Sequence, residues 1–215
     1  MSVFDEVFSG TASEERIYRI GKEMNIVSFG TCALKCGTTG SPFFVNTGRF
    51  STGEAQGLLG ELIASYLVKS GIEFDLVYGI PYKAISLASM TASKYFDKTG
   101  KNVYYAYHRK EVKDHGEEGD LVLAFDKINP GAKAVMIDDM FTTGTSLIDG
   151  LGKIAGLGIN VEHVIVIFNR YKIEESNNVE KIINIFKKNE TIFKEKGIKI
   201  HVMLDLSKLL ELIKS

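Results

Sequence analysis

Short apolar runs recur along the chain, and most of them are rich in β-branched or aromatic residues. Continuous apolar runs of about five to seven residues are typical of strands that are buried on both faces of a sheet. The runs that we predict to be strands cover residues 74–80, 102–107, 121–125, 134–138, 163–168 and 199–204.

Two segments between these runs place apolar residues on one face, at the spacing of an amphipathic helix. They cover residues 53–69 and 145–157. Strands that alternate with helices indicate an α/β fold with a mainly parallel central sheet flanked by helices. The first part of the chain is less regular, so we expect a small N-terminal hood region of residues 1–50 on a core of residues 51–215.

The composition is that of an ordinary globular protein, because 45% of the 215 residues are hydrophobic and 25% are charged. The formal net charge of −1 gives no general affinity for nucleic acid or for a membrane surface, so we expect neither as a partner. The N-terminus shows no secretory signal pattern, and no apolar stretch is long enough to span a bilayer. Cys32 and Cys36 are interpreted as free thiols of a reducing compartment, which predicts a cytoplasmic protein.

One apolar run is followed directly by acids and hydroxyl residues, in the stretch VMIDDMFTTGTS (residues 135–146). Asp138 and Asp139 would lie at the carboxyl end of a parallel strand, where α/β folds bind ligands. The next loop leads into a helix N-terminus whose free N–H groups favour an anion, and Gly144 lets the backbone approach that anion closely. A phosphorylated ribose fits this arrangement. Taken separately, the threonines would be an ordinary N-cap and the acids a solvated strand end.

This stretch resembles the motif with which type I phosphoribosyltransferases bind 5-phosphoribosyl 1-diphosphate (PRPP). The resemblance implies the type I phosphoribosyltransferase fold. It also implies that the two acids contact the ribose 2′ and 3′ hydroxyls and that the loop holds the 5′-phosphate. The PRPP-binding residues implied in this stretch are Asp138, Asp139, Met140, Phe141, Thr142, Thr143, Gly144, Thr145 and Ser146.

A second resemblance narrows the substrate. The stretch RKEVKDHGEEG (residues 109–119) is similar to the catalytic loop of the orotate phosphoribosyltransferases. By itself, such a charged run is usually a solvated loop. In that family the loop is a lid whose cations neutralise the leaving pyrophosphate, and it closes over the active site of the neighbouring subunit of a homodimer. The resemblance assigns PRPP contacts to Arg109, Lys110, Lys113 and His115, and catalytic roles to Arg109, Lys113, His115, Asp138 and Asp139.

Two shorter stretches match further PRPP contacts of the same family. Tyr82 and Lys83 match a pair that binds PRPP at its pyrophosphate end, although Ala84 stands where the family often has glycine. Lys35 matches another lysine that contacts PRPP. Without the resemblance, the tyrosine–lysine pair would be an ordinary surface turn.

The remaining matches concern orotate. Phe44 and Val45 match an aromatic segment that lies over the base, and Val45 replaces a phenylalanine there. Arg170 matches an arginine that binds orotate, and an arginine can grip a carboxylate with two parallel hydrogen bonds. Asn169 replaces the aspartate that precedes it in the family. The resemblance further implies that Thr142 helps to orient orotate.

The resemblance implies that orotate and PRPP give orotidine 5′-monophosphate and pyrophosphate, in the synthesis of UMP. Such a transfer needs no protein nucleophile, because the enzyme positions two substrates and stabilises separating charge. Mg²⁺ is the expected cofactor, bound mainly through substrate oxygens with no direct protein ligand. The alternatives are a phosphoribosyltransferase for another base and a non-catalytic PRPP-binding regulator, which would need a nucleic-acid-binding surface.

Overall fold

A parallel sheet of five strands forms the centre of the protein, whose structure is a computed structural model. The described residues are 3–5, 12–32, 41–109, 128–177 and 179–215. Their strands are β1 (Val27–Cys32), β2 (Ser41–Val45), β3 (Leu76–Gly79), β4 (Tyr104–Tyr107), β5 (Lys133–Phe141), β6 (Asn160–Asn169) and β7 (Lys199–Leu204). The central sheet has the order β4-β3-β5-β6-β7, and all its neighbouring strands are parallel. The predicted α/β fold class is therefore confirmed.

Five of the six predicted strands are observed, and β5 and β6 are each four residues longer than predicted. The prediction ended β5 at Asp138, but its pairing with β6 continues until Phe141 faces Asn169. Because the backbone groups beyond Asp138 still find partners on β6, Asp138 and Asp139 lie inside the strand, close to its carboxyl end. The sixth predicted strand, residues 121–125, lies outside the described residues.

Helices flank the sheet and connect its strands. The two predicted helices start at Gly53 and Thr145, as expected. The helix that starts at Thr145 ends at Ala155, two residues earlier than predicted. The helix that starts at Gly53 has Thr52 as its N-cap and the left-handed Gly71 as its C-cap. None of the described helices is long and apolar enough to cross a membrane. The helices are α1 (Ala12–Glu23), α2 (Gly53–Ser70), α3 (Lys83–Thr99), α4 (Thr145–Ala155), α5 (Tyr171–Ser176), α6 (Glu180–Glu195) and α7 (Leu206–Lys214).

A hairpin of β1 and β2 lies against the end of β6. The two strands pair antiparallel, and a 3-10 turn at Thr47–Arg49 leads from β2 towards α2. Arg170, directly after β6, donates a hydrogen bond of 2.7 Å to the carbonyl oxygen of Phe43 on β2. The hairpin is thus fixed at the carboxyl edge of the sheet. The N-terminal Phe4 lies elsewhere, because it forms a parallel bridge with Ile200 of β7.

Candidate active site

Two adjacent carboxylates near the end of β5 have different surroundings. Asp138 is only 5% exposed, and it accepts hydrogen bonds from the Asp139 backbone N–H at 2.8 Å and from the Ser146 hydroxyl at 3.0 Å. Burial, and then the neighbouring carboxylate of Asp139, raise the pKa of Asp138 well above its usual range. Keeping both acids ionised therefore costs free energy that a bound ligand can recover by donating hydrogen bonds.

Asp139 contacts a lysine and a threonine from two other segments. The Lys83 ammonium, at the start of α3, lies 3.3 Å from Asp139 Oδ2 and 3.1 Å from Thr47 Oγ1. The Thr47 hydroxyl donates a short hydrogen bond to the same carboxylate oxygen. The three side chains form a closed triangle at a cavity of about 350 Å³. Its apolar walls include Phe50 and Ile167, so the cavity suits a ligand with both polar and apolar groups.

Thr47 was not among the residues predicted from the sequence. It follows β2 in the stretch NTG, and a polar residue in a short turn after an aromatic strand carries no distinctive pattern. Its role depends on Asp139, which is 92 residues away in the chain, so only the fold reveals it.

The loop after β5 is shaped for an anion. Gly144 has a φ of +78°, and a Cβ built there would lie 2.8 Å from the ring of Phe193, so both the conformation and the space require glycine. The hydroxyls of Thr143 and Thr145 lie 2.9 Å apart. The α4 helix starts at Thr145, and its first N–H groups and dipole favour negative charge. The predicted threonine-rich loop therefore lies at a helix N-terminus, as the sequence suggested.

Asn189 on α6 supports this loop, although the sequence analysis did not identify it. Its amide Nδ2 donates to the carbonyl oxygen of Thr143 at 2.8 Å and lies 3.4 Å from the Thr145 hydroxyl. The side chain of Phe141 is 1% exposed and packs against Phe193. Any ligand contact of Phe141 would thus come from its backbone.

Arg170 is a buried residue, and neighbouring groups already hold its guanidinium. It is 3% exposed, its Nε donates to Glu174 Oε1 at 2.7 Å, and its Nη2 donates to the carbonyl oxygen of Phe43 and to the Ser41 hydroxyl. The guanidinium carbon also lies 4.5 Å from the centre of the Phe43 ring. These four residues, Ser41, Phe43, Arg170 and Glu174, are called the arginine cluster below. A grip through two nitrogens is not available to a ligand here, because Nε and Nη2 have protein acceptors.

The two predicted base-contacting residues on β2 point in opposite directions. Side chains alternate between the faces of a strand, and accordingly Phe44 is 39% exposed whereas Val45 is 5% exposed. Only one of the two side chains can face a ligand on a given side of the hairpin. Thr142, in the loop after β5, is half-buried.

The residues that were predicted to contact the pyrophosphate are described only in part. Tyr82 is 61% exposed at the turn before α3, next to Lys83. Arg109 follows the end of β4. Lys35, Lys110, Lys113 and His115 lie outside the described residues, as does Cys36.

The chain has relatives in both sequence and structure, although no family model matches it. It is 33% identical to the orotate phosphoribosyltransferase of Schizosaccharomyces pombe over 199 residues, which are 93% of this chain and 88% of that protein. The crystal structure of orotate phosphoribosyltransferase from Francisella tularensis is similar, with a TM-score of 0.64, 22% identity and coverage of 93% of this chain and 90% of that one.

A further similar structure is that of the Mycobacterium tuberculosis orotate phosphoribosyltransferase in complex with PRPP. It has a TM-score of 0.62 and 14% identity, and the match covers 92% of this chain and 98% of that one. At 22% and 14% identity, the two structural matches establish a common fold. The sequence match to the Schizosaccharomyces pombe protein extends over nearly the whole of this chain.

Proposed function

Since this chain belongs to the orotate phosphoribosyltransferase family, we propose that the site at the end of β5 transfers the 5-phosphoribosyl group of PRPP to N1 of orotate. The products are orotidine 5′-monophosphate and pyrophosphate, in the synthesis of UMP. One observation carries the placement: two acids, an anion-binding helix N-terminus, a lysine and a buried arginine come from separate segments to the carboxyl edge of one sheet.

The acids and the threonine loop, residues 138–146, are called the acid–threonine segment below, and we assign PRPP to them. The carboxylates of Asp138 and Asp139 accept hydrogen bonds from the ribose hydroxyls. The 5′-phosphate takes the N–H groups at the start of α4 together with the Thr143 and Thr145 hydroxyls. This assignment is supported by the loop geometry, which leaves those donors at a helix N-terminus.

Charge separation at C1′ is the step that this site must assist. As N1 of orotate approaches and the pyrophosphate leaves, the ribose becomes oxocarbenium-like, and nearby carboxylates stabilise its positive charge. Lys83 now pairs with Asp139, so PRPP would release this ion pair and leave Lys83 to its pyrophosphate. No protein nucleophile is required.

Mg²⁺ fits this site as a substrate-bound ion. Asp139 offers a hard oxygen donor with 15% exposure beside the cavity, whereas Asp138 is buried and both of its carboxylate oxygens already accept hydrogen bonds. Mg²⁺ prefers oxygen ligands and commonly arrives bound to phosphates. When bound, it neutralises charge on the pyrophosphate.

Orotate is assigned to the region where β2 meets the end of β6. Its carboxylate would meet Arg170, its ring would lie against Phe44 or the backbone of Val45, and Thr142 would orient it. The support is the position of the arginine cluster, which joins β2 to the residue that follows β6.

We further propose a homodimer in which residues 109–119 of one subunit close over the site of the other. The support is the similarity of this stretch to the family's catalytic loop. Arg109, Lys110, Lys113 and His115 would neutralise the leaving pyrophosphate. We also propose a cytoplasmic location, which the interpretation of Cys32 and Cys36 as free thiols of a reducing compartment supports.

The test is the fall of orotate absorbance in the presence of PRPP and Mg²⁺. Orotate should be consumed with release of one pyrophosphate per turnover, and uracil or a purine should react far more slowly. Preferential use of a purine base would contradict the assignment of the base. Binding of PRPP without consumption of any base would instead favour a regulator.

A further inference from the structure

Glu174 is a fully buried carboxylate whose main partner is the arginine assigned to orotate. It is 0% exposed, and its Oε1 accepts from Arg170 Nε at 2.7 Å and from the Ser41 hydroxyl at 3.2 Å. It lies one helical turn after Arg170, so α5 fixes the two side chains relative to each other. The sequence analysis did not identify this residue.

The donors of Arg170 can be counted. A guanidinium has five N–H groups, one on Nε and two on each terminal nitrogen. Nε donates to Glu174, and the two N–H groups of Nη2 go to Ser41 and to the Phe43 carbonyl. Within the described residues, Nη1 alone has no protein acceptor. A ligand carboxylate can therefore bind at Nη1 and not across the usual pair of nitrogens.

The cluster is incompletely satisfied as a structural ion pair. Glu174 Oε2 is buried and has no hydrogen-bond partner within the described residues. Leaving such an oxygen unpaired costs free energy, and a buried ion pair is often no more stabilising than apolar residues of the same size. A role in stability alone thus explains the ion pair poorly. The pair lies at the end of β6, where we assign orotate, so a role in binding orotate is the better explanation.

We propose that Glu174 is a positioning residue for orotate: it holds Arg170 by Nε so that Nη1 faces the substrate carboxylate, and its own charge limits how tightly that carboxylate binds. This inference rests on the proposed function, because it takes Arg170 as the orotate contact. The two effects of Glu174 have opposite signs. Its hydrogen bond orients Arg170 and strengthens binding, whereas its negative charge repels the carboxylate and weakens binding.

Two substitutions separate these effects. Glu174→Gln keeps an oxygen that accepts from Nε but removes the charge, so we expect the KM for orotate to fall at least threefold. Glu174→Asp keeps the charge but shortens the side chain by one methylene, so it loses the contact with Nε. We expect this variant to raise the KM for orotate about tenfold, with the KM for PRPP unchanged in both variants.

Three controls accompany these measurements. Glu175→Gln makes the same chemical change on the next residue of α5, where the exposed Glu175 accepts from the Tyr171 hydroxyl, and it should leave the KM for orotate unchanged. Inhibition by uracil, which lacks the carboxylate, should be the same in all variants. In an Arg170→Ala background, both Glu174 substitutions should lose their effect on orotate.

The outcomes distinguish this inference from the proposed function. If Arg170→Ala leaves orotate binding unchanged, the assignment of the carboxylate to Arg170 is wrong and the inference falls with it. If Arg170→Ala weakens orotate while both Glu174 variants match the wild type, the inference alone is wrong. Equal increases of KM with Gln and with Asp, accompanied by weaker uracil inhibition, would show that Glu174 only maintains the fold.

Discussion

The acid–threonine segment and the arginine cluster lie at the same edge of the sheet but are built differently. The first comes from nine consecutive residues, and one of its two carboxylates has unfavourable surroundings, since burial and a like charge raise the pKa of Asp138. The second joins residues as far apart as Ser41 and Glu174, 133 positions along the chain, and its cation is already neutralised by a buried carboxylate. In the first region a buried carboxylate lies beside a like charge, whereas in the second a buried carboxylate is paired with a cation.

If the two regions bind PRPP and orotate as proposed, the difference predicts how each of them recognises its substrate. Where charges are left unsatisfied, the ligand supplies the missing hydrogen bonds, and binding and catalysis depend strongly on each group. Where the protein has already paired the charge, the ligand can bind only the N–H groups that have no protein acceptor. Selectivity then follows from the positions of those groups. Substitutions in the two regions should therefore differ in size and in which substrate they affect.

The largest effect is expected from Asp139. Asp139→Asn removes the charge that pairs with Lys83 and would stabilise the ribose in the transition state. We expect kcat/KM for PRPP to fall about 10²- to 10³-fold, which is the size seen when one group that stabilises developing charge is lost. Steady-state assays with PRPP as the varied substrate measure this. A loss of less than tenfold would mean that the acid–threonine segment does not act on the reacting centre.

The next largest effect concerns Lys113, which lies outside the described residues. If its ammonium neutralises the pyrophosphate that leaves from the acid–threonine segment, Lys113→Ala should lower kcat about 10²-fold and barely change orotate affinity. Unchanged turnover would exclude the lid assignment. If the lid acts on the neighbouring subunit, a mixture of the Lys113→Ala and Asp139→Asn proteins should regain activity, because mixed dimers contain one site with both residues intact.

Arg170→Ala probes the arginine cluster and should have a smaller, more selective effect. Loss of a charge-assisted hydrogen bond of about 1.5–3 kcal/mol corresponds to roughly 10- to 100-fold weaker orotate binding. Calorimetric titration with orotate measures this, and the KM for PRPP should remain near that of the wild type. Because the change leaves Glu174 buried without its cation, we also expect a lower melting temperature. Unaltered orotate affinity in a folded variant would contradict the carboxylate contact.

The same comparison explains what could be predicted from the sequence. The acid–threonine segment was predictable because strand, acids, loop and helix follow one another, and its geometry depends on local rules. The extension of β5 to Phe141 was missed because it depends on pairing with β6. Thr47, Asn189 and Glu174 were missed because each contacts a residue of the site through tertiary structure. Arg170 was identified by resemblance, but its burial and its partners were not predictable.

The smallest expected effect is an increase in the stability of the fold. Its sign is opposite to that of the lower melting temperature expected for Arg170→Ala. Burial and the neighbouring Asp139 raise the pKa of Asp138, so the folded state holds this proton at pH values where the unfolded state releases it. The free energy of unfolding therefore falls as the pH rises from about 4 through the raised pKa. Asp138→Asn lacks the buried charge and should be more stable than the wild type at pH 7.5, by about 1–2 kcal/mol.

Thermal unfolding between pH 4 and 8 measures this difference, and each kcal/mol should raise the melting temperature by about 2–4 °C in a protein of this size. The advantage of Asp138→Asn should shrink as the pH falls to about 4, because the unfolded-state carboxyl then also begins to bind its proton and the difference in protonation between the two states disappears. Activity should also fall in the same variant, since the ribose hydroxyls lose a charged acceptor. Ser146→Ala is the matched control, because it removes a hydrogen bond from Asp138 without removing the charge and should lower stability at pH 7.5. If Asp138→Asn were instead the less stable protein at that pH, the two regions would not differ in the way their charges are satisfied.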